Sequence, residues 1–209
     1  MIVFPKSSSL LGRFFLAALF WLPVWFTIWY YAAPVVGSPV VWLAHWVLDL
    51  SIPGIISEVL GYGKDLHFAT TIPAASPSST PAGTIAEIVI PVNLLKYSWN
   101  LPVLMALLFA ADERFFSLGR MVLGYLALLP SQAWGVVFEI LKILFIQLGT
   151  ETAGRIDIPP WGREAVALGY QFGYLMLPVI SASSIWIVLN RSLINALLSA
   201  GRELSDKPV

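Results

Sequence analysis

Four long apolar runs, separated by polar and proline-rich stretches, set the pattern of this chain. A hydrocarbon core about 30 Å thick takes roughly 20 apolar residues in a helix, because a helix satisfies its own backbone hydrogen bonds where water is absent. The first run, Phe14 to Pro34, follows Lys6 and Arg13. Its charge layout is that of a secretory signal, but it is long, rich in Trp and lacks a small-x-small cleavage site, so it predicts an uncleaved signal anchor. Leu94 to Ala111 predicts a second span, Phe115 to Ile140 a third, with apolar residues continuing to Leu148, and Ala165 to Asn190 a fourth.

From Ser38 to Leu60 the chain stays apolar but is interrupted by Pro39, Asp49, Pro53 and Glu58. The run from Val40 to Asp49 is too short to span and predicts an interfacial helix on the outer leaflet. Asp65 to Thr71 and Thr84 to Val92 are short segments with β-branched residues, and the Pro- and Ser-rich stretch from Pro73 to Gly83 is a loop signal. Together they predict two paired strands in a small outer cap. Gly149 to Glu164, polar and broken by Pro159-Pro160, reads as a loop. The expected organisation is a signal-anchor helix over 1–37, an extracytoplasmic segment with the interfacial helix and β-hairpin over 38–93, a three-helix membrane region over 94–190 containing the outer loop 149–164, and a cytoplasmic tail over 191–209.

Composition turns this pattern into a class. Of 209 residues, 58% are hydrophobic and only 11% charged, against about a quarter charged in soluble domains. Nine Trp suit the membrane interface, where an amphipathic ring is at home. The mean hydropathy of +0.80 agrees. The fold class expected is mainly α: a polytopic membrane protein with about four transmembrane helices and a small extracytoplasmic α+β segment. Twelve Lys and Arg balance twelve Asp and Glu, which argues against nucleic acid as a partner. The absence of Cys excludes disulfides, thiolate metal sites and a cysteine nucleophile. Two His are too few for an all-histidine metal site. No cofactor-binding motif is present: the chain lacks a Gly-rich phosphate loop, His-Glu-x-x-His and Gly-x-Ser-x-Gly.

Orientation follows from Lys and Arg, which are retained in cytoplasmic loops. With the N-terminus inside, the cytoplasmic pieces hold Lys6, Arg13, Arg114, Arg120, Arg191, Arg202 and Lys207, and the outer pieces hold Lys64, Lys96, Arg155 and Arg163. That excess predicts both termini in the cytoplasm of a bacterium, with the chain in the inner membrane.

Polar groups inside a bilayer are costly, so each calls for a partner or a purpose. Glu139 and Lys142, three residues apart, share a helix face and are expected to form an ion pair. The alternative is a role for Glu139 in proton handling or partner binding. His45 and Asp49, four apart, could arrange a general base, but nothing supplies a nucleophile and a surface hydrogen bond accounts for them. His67 reads as an exposed side chain. Asn100, Gln132, Gln147 and Gln171 are amides that bridge helices. Ser181, Ser183 and Ser184 return hydrogen bonds to their own helix. Gly169 and Gly173 fit a close helix approach, and Pro23, Pro102, Pro130 and Pro178 are expected to kink or end the spans.

Several short stretches carry a resemblance: Val92-Asn93-Leu94-Leu95-Lys96-Tyr97-Ser98-Trp99-Asn100-Leu101-Pro102, Leu129-Pro130-Ser131-Gln132-Ala133-Trp134-Gly135, Leu168-Gly169-Tyr170-Gln171-Phe172-Gly173-Tyr174-Leu175-Met176-Leu177-Pro178, and Trp186-Ile187-Val188-Leu189-Asn190-Arg191. Through them the chain resembles the exosortase H-associated membrane proteins of Gram-negative bacteria. The resemblance implies a role beside an exosortase, a multispanning enzyme that uses Cys, Arg and His to cut sorting tails from exported proteins. Without Cys this chain cannot be such an enzyme, and no catalytic residue is carried over.

The reading that follows is a non-catalytic accessory membrane subunit with no cofactor or metal. Its expected partners are membrane lipids, an exosortase-like integral membrane protein and exported substrate proteins, the last met by the outer segment. The polar contacts within or between helices are expected from Tyr97, Asn100, Gln132, Glu139, Lys142, Tyr170 and Gln171. The rival readings are a small permease or a subunit of another membrane complex, and a membrane-embedded hydrolase or transferase using His45, Asp49 and Glu139.

Overall fold

The computed structural model describes residues 10–62, 64–73, 87–111, 118–148, 159–195 and 198–199. Its elements run α1 (Leu10–Val36), α2 (Ser38–Ser51), β1 (Ile56–Tyr62), β2 (Asp65–Pro73), β3 (Glu87–Asn93), α3 (Leu95–Ser98), α4 (Asn100–Ala111), α5 (Leu118–Lys142), α6 (Pro160–Gln171) and α7 (Leu177–Leu189). A π-helical turn, Ile143–Gln147, follows α5, and a second, Phe172–Met176, joins α6 to α7. The chain is therefore mainly helical with one small sheet.

Three helices are long and apolar enough to cross a membrane: Leu11–Val36, Leu118–Gln147 and Trp161–Leu189. At 1.5 Å per residue these reach about 40 Å or more, longer than the hydrocarbon core. The expected second span is different. A turn at Trp99 separates α3 from α4, and the whole stretch Leu95–Ala111 falls in the shorter apolar class, about 26 Å end to end. The fourth expected span begins earlier than Ala165, because Pro160 opens α6 instead of breaking a loop. Proline at the first helical position lacks only an N–H that has no intrahelical partner there, and Gly162 N donates to Pro159 O at 2.8 Å. Residues 149–158 and 200–209, which hold most of the expected loop and tail, lie outside the described residues, as do residues 74–86 of the Pro/Ser-rich stretch.

The described residues fall into two compact units. One takes those within Ala32–Ser98 and Leu129–Pro178; the other takes those within Met1–Tyr31, Trp99–Leu128 and Val179–Val209.

In the first unit, α2 follows α1 with only Gly37 between them. Gly37 N donates to Ala33 O at 2.9 Å and Val41 N to Gly37 O at 3.1 Å, and a Cβ at Gly37 would strike the Leu94 side chain. On α2, Val40, Ala44 and Leu48 are fully buried, whereas Trp42, Trp46 and Leu50 are exposed. Each set recurs every four residues, so the helix has one face in the protein core and an opposite, tryptophan-bearing face that suits the interfacial position expected of it.

The expected interfacial stretch from Ser38 to Leu60 is not one helix. It stops at Ser51, Pro53-Gly54 makes the turn with Gly54 at φ +70°, and the β-branched Ile56 and Val59 enter β1. The sheet has three antiparallel strands in the order β1-β2-β3, against the two expected. The expected pairing of the other two holds: Leu66 faces Val92, Phe68 faces Ile90 and Asp65 faces Asn93. Along β2, Leu66, Phe68, Thr70 and Ile72 are buried, the alternation of a strand with one face in a core. The register slips between Ala69 and Pro73, where Thr70 Oγ1 donates to Ile88 O at 2.8 Å and accepts from Ile72 N at 3.3 Å. His67, expected to be exposed, is half-buried on β2.

Phe68, Ile72 and Ile90 of the sheet share a core with Leu48 of α2, with Leu94 and Tyr97, and with Ile140, Leu144 and Phe145. A three-stranded sheet has unpaired edges that cannot sit in lipid, so the end of α5 that shares its core belongs at the membrane interface.

In the second unit, small residues bring helices together: Ala17 and Ala18 of α1 pack on Ala110 of α4, with Phe14 and Leu107 beside them. Phe109 lies 4.9 Å from Trp21 and 5.0 Å from Trp25, centroid to centroid, and Phe14 lies 5.3 Å from Trp186.

Candidate functional site

The sheet-bearing unit contains a cluster of polar side chains around Glu139. Asn93 sets up its local geometry. Its Nδ2 donates to Asp65 Oδ1 at 2.9 Å, and its Oδ1 accepts from Leu95 N at 2.9 Å, so one side chain ties the end of β3 to the start of α3. Lys96 and Tyr97 are then presented side by side on that short helix.

Tyr97 is 1% exposed. Its ring fits because Gly135 faces it: a Cβ there would collide with the Tyr97 ring. Two more glycines do the same for α5 aromatics. A Cβ at Gly169 would collide with Phe138, and one at Gly173 would lie 2.8 Å from Trp134 Cδ1. Trp134 Nε1 also donates to Gly169 O at 3.0 Å. The expected close approach at Gly169 and Gly173 is therefore present, made by rings against glycines.

Glu139 stands on α5 with its side chain 5% exposed, and Lys96 Nζ lies 3.1 Å from its Oε1. Its partner is thus Lys96 and not Lys142 as the three-residue spacing suggests. Lys142 Nζ turns instead onto the face of Tyr170, 4.0 Å from the ring centroid. Physically, one carboxylate buried at the interface is best met by the cation on the facing helix, and the second cation is held by the ring quadrupole. Tyr170 stacks on Tyr174 at 6.0 Å and 4°, and Tyr174 meets Tyr97 edge-on at 6.4 Å. Lys96 lies within electrostatic range of the Tyr170 and Tyr174 hydroxyls, and Tyr97 within range of Glu139 and Tyr170.

Two atoms in this cluster are buried without completing a hydrogen bond: Glu139 Oε2 and the Tyr97 hydroxyl. Buried polar atoms are rarely left so. The chemistry that would complete them is a group that both donates and accepts, as a water or a hydroxyl does. Both π-helical turns adjoin the cluster. Ile143–Gln147 starts right after Lys142, and Phe172–Met176 contains Tyr174. Such turns widen the helical ladder and often mark functional positions. Here Leu148 N donates to Ile143 O and Leu177 N to Phe172 O, each five residues back, and Pro178 just beyond the second turn has no N–H to give the ladder.

Of the residues expected from the sequence, Tyr97, Glu139, Lys142 and Tyr170 are brought together, and Lys96 and Tyr174 complete them. Lys96 lies 43 residues from Glu139 in sequence, which no local spacing reveals; Tyr174 had a signal, four residues after Tyr170 on one helix face. Gln132 is buried on α5. Asn100 belongs to the other unit, where it is fully buried and its Nδ2 donates to Ser181 Oγ at 3.2 Å, a bridge between α4 and α7 of the kind expected. Gln147 and Gln171 are exposed and outside the cluster. His45 is half-buried and Asp49 exposed on α2; among the described residues no hydrogen bond joins them, so the expected surface contact is missing. Four residues apart on a helix permits the contact without requiring it. No group of three His, Asp or Glu converges among the described residues.

An interfacial sheet, long apolar helices and a polar cluster at their junction define a polytopic membrane protein. The family model for exosortase H-associated membrane protein matches residues 8–193, and the chain belongs to that family. No curated protein matches the sequence. No solved structure matches the fold.

Proposed function

We propose that this chain is a non-catalytic accessory subunit of an exosortase-type protein-sorting system, seated in the bacterial inner membrane with both termini in the cytoplasm. The observation that carries this reading is the family match over residues 8–193, whose description names association with exosortase H. The Lys96, Tyr97, Glu139, Lys142 and Tyr170 cluster, an ion pair among phenols, suits holding helices and sheet in register. The outer segment 38–93 then presents the sheet to exported substrate. The orientation rests on charge. Arg13, Arg120 and Arg191 are the charged residues described in the unit without the sheet, as cytoplasmic retention of cations requires.

The test is a mild-detergent pull-down of the tagged protein from its own host, read by mass spectrometry. Recovery of a multispanning, Cys-containing sorting enzyme supports the reading, and a protein recovered alone or with an unrelated complex overturns it. Orientation is read separately. Cys placed at Ser78 should react with a membrane-impermeant thiol reagent in intact spheroplasts and Cys at Ser205 should not.

A further inference from the structure

The two edges of the sheet are built differently. Thr71 N donates to Ile55 O at 2.9 Å, and Leu94 N donates to Lys64 O at 3.1 Å. Backbone groups along the middle strand of an antiparallel sheet alternate between its two neighbours, so His67 and Ala69 bond toward β1, and Leu66 and Phe68 toward β3. Carried across the register, Glu58, Leu60 and Tyr62 turn their backbone groups toward β2, and Val59 and Gly61 turn theirs away. On β3 the residues turned away are Val89, Pro91 and Asn93. Pro91 has no N–H, which protects that edge against a further strand. The edge of β1 lacks such a block: Glu58 and Gly61 are exposed, and among the described residues the outward backbone groups of Val59 and Gly61 have no partner. A bulge between Ile56 and Glu58 interrupts the regular register, which leaves Glu58–Tyr62 as the open stretch.

Alternating free N–H and C=O groups on a strand edge are complementary to the backbone of an extended peptide. Gly61 is a second sign that a backbone approaches here. Its φ is not positive, and among the described residues a Cβ on it would meet only Leu66 Cδ2, at an ordinary 3.9 Å. The sheet itself thus asks for no glycine at a position where glycine weakens a strand, and such a glycine marks close approach by another backbone. Charge narrows what approaches. Segment 38–93 carries Asp49, Glu58, Asp65 and Glu87 against Lys64, and Glu58 forms no ion pair among the described residues. A second copy of the chain would bring the same acids to the edge and be repelled, whereas a segment bearing Lys or Arg is attracted.

We propose that the Glu58–Tyr62 edge of β1 takes up an extended, cationic segment of an exported protein as a fourth strand, bonded through Val59 and Gly61 with a Lys or Arg against Glu58. This rests on the reading that segment 38–93 meets exported substrate; the experiment needs no exosortase, so it can fail while the pull-down succeeds. The probe is the labelled peptide Thr-Val-Arg-Val-Thr-Val, blocked at both ends and titrated onto the full chain in an uncharged detergent. Fluorescence anisotropy reads affinity, and amide hydrogen exchange reads the site. Exchange should slow at Val59 and Gly61 and stay unchanged at Val89. N-methylating one of the two alternating sets of peptide residues should weaken binding about tenfold, as for one lost hydrogen bond, and methylating the other set should not. Gly61→Pro should weaken it similarly, while the methylated peptides make the same test on the unaltered chain. Replacing the peptide Arg by Glu should also weaken binding, and Glu58→Lys should reverse that order. A peptide that does not bind, equal effects of the two methylated sets, or exchange slowed at Val89 instead overturns the proposal. Dimerisation of the chain alone that slows exchange at Val59 and Gly61 overturns it too, since the edge would then belong to a second copy.

Discussion

The two units of this protein solve the same problem with different materials. The sheet-bearing unit mixes six acidic residues with Lys64, Lys96, Lys142 and Arg163, and its core joins strands, helices and a fully buried tyrosine. The other unit has no acidic residue among those described; it packs Ala17 and Ala18 on Ala110 and surrounds Phe109 with Trp21 and Trp25. The reason lies in the solvent each meets. Where a sheet leaves the bilayer, water makes hydrophobic burial favourable and charges affordable. Between apolar helices in lipid there is no such drive, and close packing by small residues and rings takes over. Single changes should therefore weigh unequally in the two units.

The largest effect is expected from Lys96→Ala. It leaves Glu139, 4% exposed, as an unpaired buried carboxylate, and removing one partner of a buried pair costs about 3 kcal/mol at the low end. The low end applies because Lys96 itself is half-exposed. Adding Glu139→Gln to the variant should recover most of the loss, since the charge that lacked a partner is gone. Thermal unfolding of the single and double variants checks this. A double variant no more stable than Lys96→Ala would mean that the ion pair does not distinguish the sheet-bearing unit.

A smaller effect of about 2 kcal/mol is expected from Gly135→Ala, where the new methyl meets the Tyr97 ring; overpacking a filled core costs this much because neither side can yield. Gly124→Ala in the other unit is the matching control. Its nearest neighbour is the terminal Cδ2 of Leu104, at 3.0 Å, which has to give by only a few tenths of an ångström, and replacing a helical glycine by alanine favours the helix by roughly 0.5–1 kcal/mol. Gly124→Ala should then be neutral or stabilising while Gly135→Ala destabilises. Equal losses at the two sites, measured by thermal unfolding, would erase the contrast in packing.

The same difference explains what could be read from the sequence. Long apolar helices announce themselves by composition alone, and so did the small-residue spacing of Gly169 and Gly173. Strand β1 did not, because Ile56–Tyr62 continues an apolar run that a helix had begun at Ser38, and only Pro53-Gly54 marks the change. The break at Trp99 was hidden for a similar reason: α3 and α4 are both apolar, and only a one-residue turn at Trp99 parts them. The polar cluster was half legible. Glu139 stood out as an acid in an apolar span, but its partner comes from another helix 43 residues away, and the nearer Lys142 was the natural choice from spacing. A local pattern reports neighbours along one helix and is silent about which helix faces it.

The smallest effect is expected from Trp186→Phe. Trp186 Nε1 donates to Leu107 O at 3.0 Å, and the ring also lies against Phe14. Phenylalanine keeps an aromatic ring there and removes the donor. The carbonyl it leaves lies inside α4, so it keeps a helical partner, and interhelical hydrogen bonds in membrane proteins average only about 0.6 kcal/mol. The variant should therefore unfold within a small shift of the parent, well short of Lys96→Ala. A loss as large as that of Lys96→Ala would show that a neutral side-chain bond among apolar helices can match an ion pair beside a sheet. The two units would then differ in composition without differing in how much one polar contact contributes.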